Sequence, residues 1–158
     1  MSKGDTPPRD TPHEIFGAGA HASKDLHRPV VMIVDDESSI ADTLAEILTR
    51  SGYTCVSAYD ADSAIETALL KPPEMLITDV VLPGMNGIDL AIHIRRIFPD
   101  CKVILFSGQA STADLLAAAG REGHQFVLIS KPVHPTDLLA RISETLKPRR
   151  QRAAVVTI

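Results

Sequence analysis

The sequence predicts an α/β fold of the doubly wound type, in which a parallel five-stranded sheet carries helices on both faces. Five short apolar runs alternate with five segments of helical periodicity, which is the pattern of repeated βα units. Hydrophobic residues make up 44% of the chain and aromatic residues only 4%, so the core is built mainly from aliphatic side chains. At 158 residues the chain has room for one such domain with short extensions.

The predicted strands are short apolar runs that stop at polar residues or turn signals. In order they are 30–34, 54–58, 75–79, 102–106 and 125–130. Apolar residues spaced by three or four positions predict the helices, which lie between Ser38 and Gly52, over 61–69, over 88–97, over 112–122 and over 135–146. Ser38 is the expected N-cap of the first helix, and His134 that of the last, which begins with Pro135.

The ends of the chain and its bulk charge limit the classes of function. Residues 1–28 are rich in Pro and Gly without apolar periodicity and are predicted to be a disordered extension, 29–147 to be the domain, and 148–158 a tail that is basic and then apolar. A net charge of −4 gives no general attraction to nucleic acid, so no direct DNA binding is expected. Cys55 and Cys101 are expected to be free thiols in a reducing compartment. No leader or membrane span is recognisable, so we expect a cytoplasmic protein without membrane contact.

Charged and hydroxyl residues stand at the predicted ends of four strands. Asp35 and Asp36 follow the first strand, Asp79 ends the third, Ser107 follows the fourth and Lys131 follows the fifth. In an open α/β sheet these ends lie at one edge, where ligands bind. Clustered carboxylates need a cation, and oxygen ligands alone favour Mg²⁺, with Mn²⁺ as an alternative.

Among these groups Asp79 is the candidate nucleophile, because a carboxylate can accept a phosphoryl group as an aspartyl phosphate. The metal and Lys131 would neutralise the phosphoryl oxygens, and Ser107 would donate a hydrogen bond to one of them.

Four motifs together resemble the receiver domain of two-component response regulators. They cover roughly 30–146 and are Val34-Asp35-Asp36-Glu37, Thr78-Asp79 with 82–87 (Leu-Pro-Gly-Met-Asn-Gly), Phe106-Ser107-Gly108 and Ser130-Lys131-Pro132. The resemblance implies a flavodoxin-like or CheY-like (βα)₅ fold with strand order 2-1-3-4-5 and a cis Lys131–Pro132 peptide. It also implies that Asp36, Asp79 and the Val81 carbonyl bind Mg²⁺ directly and that Asp35 helps through water.

The same resemblance implies a phosphohistidine donor, on a sensor histidine kinase or a histidine phosphotransfer protein, and a signalling domain rather than an enzyme. We predict a stand-alone receiver in a phosphorelay. It would signal, or form a homodimer, through the face of the fourth helix, fifth strand and fifth helix. The residues expected to border this face are Leu115, Leu116, Phe126 and Leu138.

Two positions depart from the family pattern. Leu128 stands where receivers usually carry a switching aromatic residue, and Phe126 lies two positions earlier with the same strand parity. Val81 and Gln109 occupy places that often position the attacking water, so we predict a long-lived phosphoryl group and at most slow self-dephosphorylation.

Two alternatives belong to other functional classes. A haloacid dehalogenase-like Mg²⁺ phosphatase also forms an aspartyl phosphate, but its nucleophile ends the first strand and its second Asp lies two residues later. Here Asp35 and Asp36 are adjacent and position 37 is Glu. A receiver-fold interaction module that never carries phosphate is the other alternative, and the complete acidic set argues against it.

Overall fold

The computed structural model describes residues 27–108 and 112–147. Within them the chain forms a parallel five-stranded sheet in the order β2-β1-β3-β4-β5, alternating with five helices, as predicted. The strands are β1 Val30–Val34, β2 Thr54–Ala58, β3 Met75–Asp79, β4 Lys102–Ser107 and β5 Val127–Ser130. The helices are α1 Ser38–Arg50, α2 Ala61–Leu70, α3 Gly87–Ile97, α4 Thr112–Arg121 and α5 Pro135–Leu146.

The sheet has a hydrophobic core on each face, because successive side chains of a strand point to opposite sides. On β1, Met32 and Val34 join the core that includes α2 and α3, whereas Val31 and Ile33 join the core that includes α1 and α5. The central strands are therefore almost continuously apolar, as expected for a parallel sheet that is covered on both faces.

The helix ends follow local side-chain chemistry, with one correction. The His134 ring accepts a hydrogen bond from the Thr136 amide and Pro135 begins α5, as predicted. The N-cap of α1 is Glu37 rather than Ser38, and Glu37 makes no side-chain capping bond. The reason is that the Glu37 amide donates to Asp35 Oδ1 at 3.0 Å, which starts the helix one residue earlier.

Two predicted positions differ on the β5–α5 side. The strand β5 begins at Val127 instead of residue 125, so Phe126 precedes it. Leu138, predicted to border the interaction face, is 1% exposed and belongs to the core with Ile142, because its side of α5 faces the sheet. Leu115 is exposed on α4, as that prediction requires.

The residues that lead into β1 are attached to the end of the sheet opposite the predicted site. His27 Nε2 lies 2.5 Å from Glu74 Oε1, and Arg28 Nη2 donates to the Thr49 carbonyl at 2.7 Å and the Tyr53 carbonyl at 3.2 Å. The rest of the predicted N-terminal extension, 1–26, and the tail 148–158 lie outside the described residues. Among the helices that the structure describes, none has the length and apolar character needed to cross a bilayer.

Candidate functional site

The sheet brings the polar strand ends together at its carboxyl edge. Asp79 pairs in register with Phe106 across β3 and β4, and Ser107 pairs with Ser130 across β4 and β5. Asp35 follows β1, and β1 is hydrogen-bonded to β3 on the side of β3 away from β4. Since the strands are parallel and in register, residues from four separate segments meet at one edge of the sheet.

Lys131, which follows β5, contacts acidic side chains of two other segments. Its Nζ lies 3.1 Å from Asp35 Oδ2 and 3.1 Å from Asp79 Oδ2, although the partners are 96 and 52 positions away in sequence. The Asp35 side chain is 5% exposed and that of Asp79 17%, so the ion pairs are shielded while Asp79 stays accessible to a reagent. The predicted meeting of Lys131 with Asp79 is thus present.

Backbone amides fix the other oxygen of each carboxylate. Asp35 Oδ1 accepts from the Glu37 amide at 3.0 Å, and Asp79 Oδ1 accepts from the Val81 amide at 3.3 Å. Each carboxylate is therefore held on one side by backbone and on the other by the ammonium group of Lys131. Preorganisation of this kind lowers the cost of arranging charged groups around a reacting centre.

Asp36 completes an acidic cluster. Asp35, Asp36 and Asp79 each offer a carboxylate oxygen, and these three oxygens lie within 4.8 Å of one another. Three carboxylates and the Lys131 ammonium leave a formal charge of −2 when all are ionised, which matches a divalent cation. Oxygen ligands with one exposed member suit Mg²⁺, which keeps several water ligands in proteins. The residues present therefore fit the expected metal.

The charge of Lys131 is stabilised by its surroundings. Partial burial by itself lowers the pKa of an ammonium group, but hydrogen bonds and charges from Asp35 and Asp79 outweigh that effect and raise the pKa of Lys131 above its ordinary value. The ammonium also lies 5.9 Å from the centre of the Phe106 ring. Lys131 is therefore cationic at neutral pH, as a group that faces phosphoryl oxygens must be.

Gly87 positions Asp79 in a way that the sequence did not reveal. A Cβ atom at Gly87 would lie 1.9 Å from the Asp79 carbonyl oxygen and 2.8 Å from its carbonyl carbon. The Gly87 amide donates to the Val80 carbonyl at 2.8 Å, and Asn86 caps α3 by accepting from the Asp89 amide. The start of α3 thus lies directly against the end of β3. The Asn-Gly pair was the available signal, but it indicated only a turn.

Ser107 and the peptide after Lys131 lie where the prediction placed them. Ser107 is 7% exposed at the carboxyl end of β4, and its carbonyl accepts from the Lys131 amide at 2.9 Å. The Lys131–Pro132 peptide is cis, as the resemblance implied.

The candidate switch residues have separate surroundings. Leu128 is on β5 with 39% of its surface exposed. Phe126 precedes β5 and is half-buried, with the Arg95 guanidinium carbon 4.7 Å from its ring centre and the His124 ring stacked at 6.0 Å. Arg95 also donates to the Gln125 carbonyl at 2.9 Å. Phe126 is therefore held in a stack on α3 and does not occupy the usual position of the switching aromatic residue.

Of the two residues predicted to tune dephosphorylation, the structure describes one. Val81, whose backbone amide donates to the Asp79 carboxylate, is 56% exposed, and its side chain has no polar group. Gln109 lies outside the described residues.

Comparison with known proteins agrees with this geometry. Residues 31–143 match the response regulator receiver domain family. The chain is 33% identical over 126 residues to the nitrogen assimilation regulatory protein NtrX of Azorhizobium caulinodans, covering 77% of this chain but only 27% of that protein. The chain therefore spans about a quarter of the length of this relative.

Solved structures give the same result. A CheY-like receiver domain protein from Methanospirillum hungatei JF-1 superposes with a TM-score of 0.67 at 30% identity, covering 74% of this chain and 92% of that one. The signal receiver domain of an HD domain-containing protein from Pseudomonas fluorescens Pf-5 gives 0.69 at 29% identity, covering 75% and 94%. The chain belongs to the response regulator receiver family, whose members are signalling domains of two-component systems that work with histidine kinases and bind Mg²⁺ in an acidic pocket.

Proposed function

We propose that Asp79 accepts a phosphoryl group from a phosphohistidine of a sensor kinase or a histidine phosphotransfer protein. The supporting observation is a cluster of three carboxylates, two of which contact one ammonium group, with Lys131 Nζ 3.1 Å from both Asp35 and Asp79. Asp79 is the candidate acceptor because its carboxylate is fixed yet accessible, whereas Asp35 is almost fully buried.

The transfer forms one bond and breaks one. A carboxylate oxygen of Asp79 bonds to phosphorus, and the bond from phosphorus to the imidazole nitrogen of the donor breaks, so the leaving imidazole takes the electron pair. When bound, Mg²⁺ supplies charge neutralisation for the phosphoryl oxygens. Asp35, Asp36, Asp79 and the Val81 carbonyl are the groups proposed to hold it. Lys131 is proposed to exchange one carboxylate contact for a phosphoryl oxygen, and Ser107 to donate to another.

Incubation with acetyl phosphate and Mg²⁺, followed by intact mass measurement, tests this assignment. We expect the mass of one phosphoryl group in the wild type, none in Asp79→Asn, and none after chelation of the metal. Asp100→Asn is the matched control, because Asp100 is an exposed carboxylate in the turn between α3 and β4, at the other end of the sheet. Equal labelling of Asp79→Asn and the wild type would refute the assignment.

The same protein distinguishes the two alternatives. A haloacid dehalogenase-like phosphatase would turn over a chromogenic phosphate ester, which a receiver should barely do. An interaction module without phosphorylation would gain no mass from acetyl phosphate. The position of Asp79 at the end of β3 instead of β1 favours the receiver over the phosphatase. The acidic set with Lys131 in contact favours it over a module that never carries phosphate.

We further propose that the phosphoryl group is long-lived, because Val81 provides no polar group beside Asp79 to orient an attacking water. Loss of the phosphoryl mass in Mg²⁺ buffer measures this lifetime, and rapid loss would contradict it. Substitution of Val81 by Asn is expected to shorten the lifetime, whereas substitution by Ile should leave it unchanged.

Output is proposed to occur through the face formed by α4, β5 and α5, as a stand-alone receiver in a relay or as a homodimer. Lys131 directly follows β5, so a change in its contacts at the site can be transmitted to this strand. NtrX is a longer protein, and the mass of the native gene product in cells tests the stand-alone role. Sedimentation with and without acetyl phosphate tests dimerisation.

A further inference from the structure

A groove lies between the outer strand β5 and the exposed side of α5. It has a volume of about 470 Å³, and its apolar floor includes Leu128, Val133 and Ala140. Leu128 is 39% exposed there. The sheet order places β5 at the edge, with β4 as its one neighbour among the described strands. Apolar surface next to an open strand edge favours binding of an extended segment.

The rim of this groove is acidic along α5. Asp137 and Glu144 line it, together with one cation, Arg141. In the part of the chain that the structure describes, neither carboxylate takes part in an ion pair. The two acidic positions are seven residues apart, which corresponds to about 10 Å along a helix.

We propose that the C-terminal segment of this chain, 148–158, docks in this groove and covers the β5–α5 face. The described structure ends at Lys147, three residues after Glu144, and Pro148 then prevents the helix from continuing. Lys147 already has extended backbone angles, with φ −56° and ψ 128°, so the chain leaves the helix axis at the Glu144 end of the groove.

The segment carries both kinds of side chain that the groove can bind. Arg149, Arg150 and Arg152 come first, and an apolar run from Ala153 to Ile158 follows, broken only by Thr157. Side chains alternate along an extended chain, so Arg150 and Arg152 project to the same side about 7 Å apart. Two long arginine side chains at that separation can reach both Glu144 and Asp137, which are about 10 Å apart on α5. With these two guanidinium groups on the acidic rim, the apolar run that follows Arg152 lies at the end of the groove where α5 begins, next to Val133.

The docked segment would compete with any protein that binds this face. The proposal does not require phosphorylation of Asp79, so it can fail or hold independently of the proposed function. A segment from a second copy or a separate partner protein are the other possible occupants, and the experiment distinguishes them.

Trypsin cleavage of the full-length chain measures docking, because the arginines of the segment are themselves the cleavage sites. The groove variant Asp137→Asn/Glu144→Gln leaves those sites intact. We expect it to accelerate cleavage at residues 149–152 by about three- to tenfold, the loss expected for two exposed charge pairs. The matched control is Asp62→Asn/Glu66→Gln, which makes the same changes at exposed acids of α2 and should leave the rate unchanged.

Mass analysis of the fragments separates docking from unfolding, since an unfolded variant would also be cut within 30–146. A second variant, Leu128→Ser, removes apolar floor and should likewise accelerate cleavage of the segment alone. Amide NMR of the full chain locates the docking site. Arg150→Glu/Arg152→Glu should shift the resonances of Leu128 and Ala140, whereas Lys3→Glu/Arg9→Glu should not.

Equal cleavage rates in the wild type and both groove variants would overturn the proposal, as would unchanged resonances of the groove in the tail variant. Protection that disappears on dilution, together with a dimer in sedimentation, would also overturn it and assign the groove to a second copy. Protection that is independent of concentration and lost in both groove variants supports it.

Discussion

Replacement of Gly87 by Ala tests whether the contact between α3 and β3 positions the phosphoacceptor. The added Cβ would lie 1.9 Å from the Asp79 carbonyl oxygen, and real Cβ contacts do not fall below 3.0 Å. The two backbone segments must therefore separate by at least 3.0 − 1.9 = 1.1 Å. The contacting atom is backbone, so no side-chain rotation can relieve the clash.

The expected loss of stability follows from three contributions. Overpacking of this kind costs about 1–3 kcal/mol. Loss of the 2.8 Å hydrogen bond from the Gly87 amide to the Val80 carbonyl adds about 1 kcal/mol. The better helix propensity of Ala recovers at most about 0.5–1 kcal/mol, the value for a helix interior, because Gly87 is the first residue of α3. The net loss is about 1–4 kcal/mol, which corresponds to a fall in Tm of roughly 5–15 °C for a domain of this size.

Phosphorylation should suffer more than stability, because a displacement of about 1 Å in a catalytic arrangement costs roughly 100-fold in rate. We would measure Tm by circular dichroism and the acetyl phosphate rate by intact mass, at a temperature where the variant is folded. The control is Gly120→Ala in α4, where a Cβ meets no atom within 4 Å. This control should gain about 0.5–1 kcal/mol of stability and become phosphorylated at the wild-type rate. A Gly87→Ala protein with wild-type Tm and rate would refute the reasoning.

Three further predictions concern single side chains. Arg95→Gln should destabilise the protein by about 1–3 kcal/mol, because it removes hydrogen bonds to two carbonyls and the contact with the Phe126 ring. Arg96→Gln, at an exposed position, is the control and should change stability by less than about 0.5 kcal/mol. Urea denaturation measures both variants, and equal losses of stability would contradict the role of Arg95. Asn86→Ala should cost about 1 kcal/mol by removing the cap of α3, and a Tm within error of the wild type would exclude that role. Burial raises the pKa of the Cys101 thiol to about 12, so the unfolded thiol ionises first and stability should fall as the pH rises above the ordinary thiol value of about 8.5. In Cys101→Ala, the free energy of unfolding measured with urea should fall less steeply as the pH rises. An identical slope in the variant and the wild type would show that another group is responsible.

Much of the fold could be read from local patterns. The runs at 30–34 and 75–79 are strands with the predicted bounds, because each is an apolar stretch ended by polar residues. The cap of α5 was also predictable, since His134 and Pro135 act on neighbouring backbone. The cap of α1 was not predictable, because the Asp35 carboxylate at the site accepts a hydrogen bond from the Glu37 amide and Glu37 becomes the N-cap in place of Ser38.

Local patterns in the sequence predicted the succession of strands and helices along the chain, the polar residues at the ends of four strands and the acidic charge that favours a divalent cation. The packed fold was needed to show that the Lys131 ammonium contacts Asp35 as well as Asp79 and that Gly87 lies against the Asp79 carbonyl. It was also needed to show that Arg95 contacts Phe126, which lies outside β5. The difference lies in the sequence separation over which the interactions act. Periodicity and capping act within a few residues, whereas these contacts join segments distant in sequence and depend on how the sheet and helices pack.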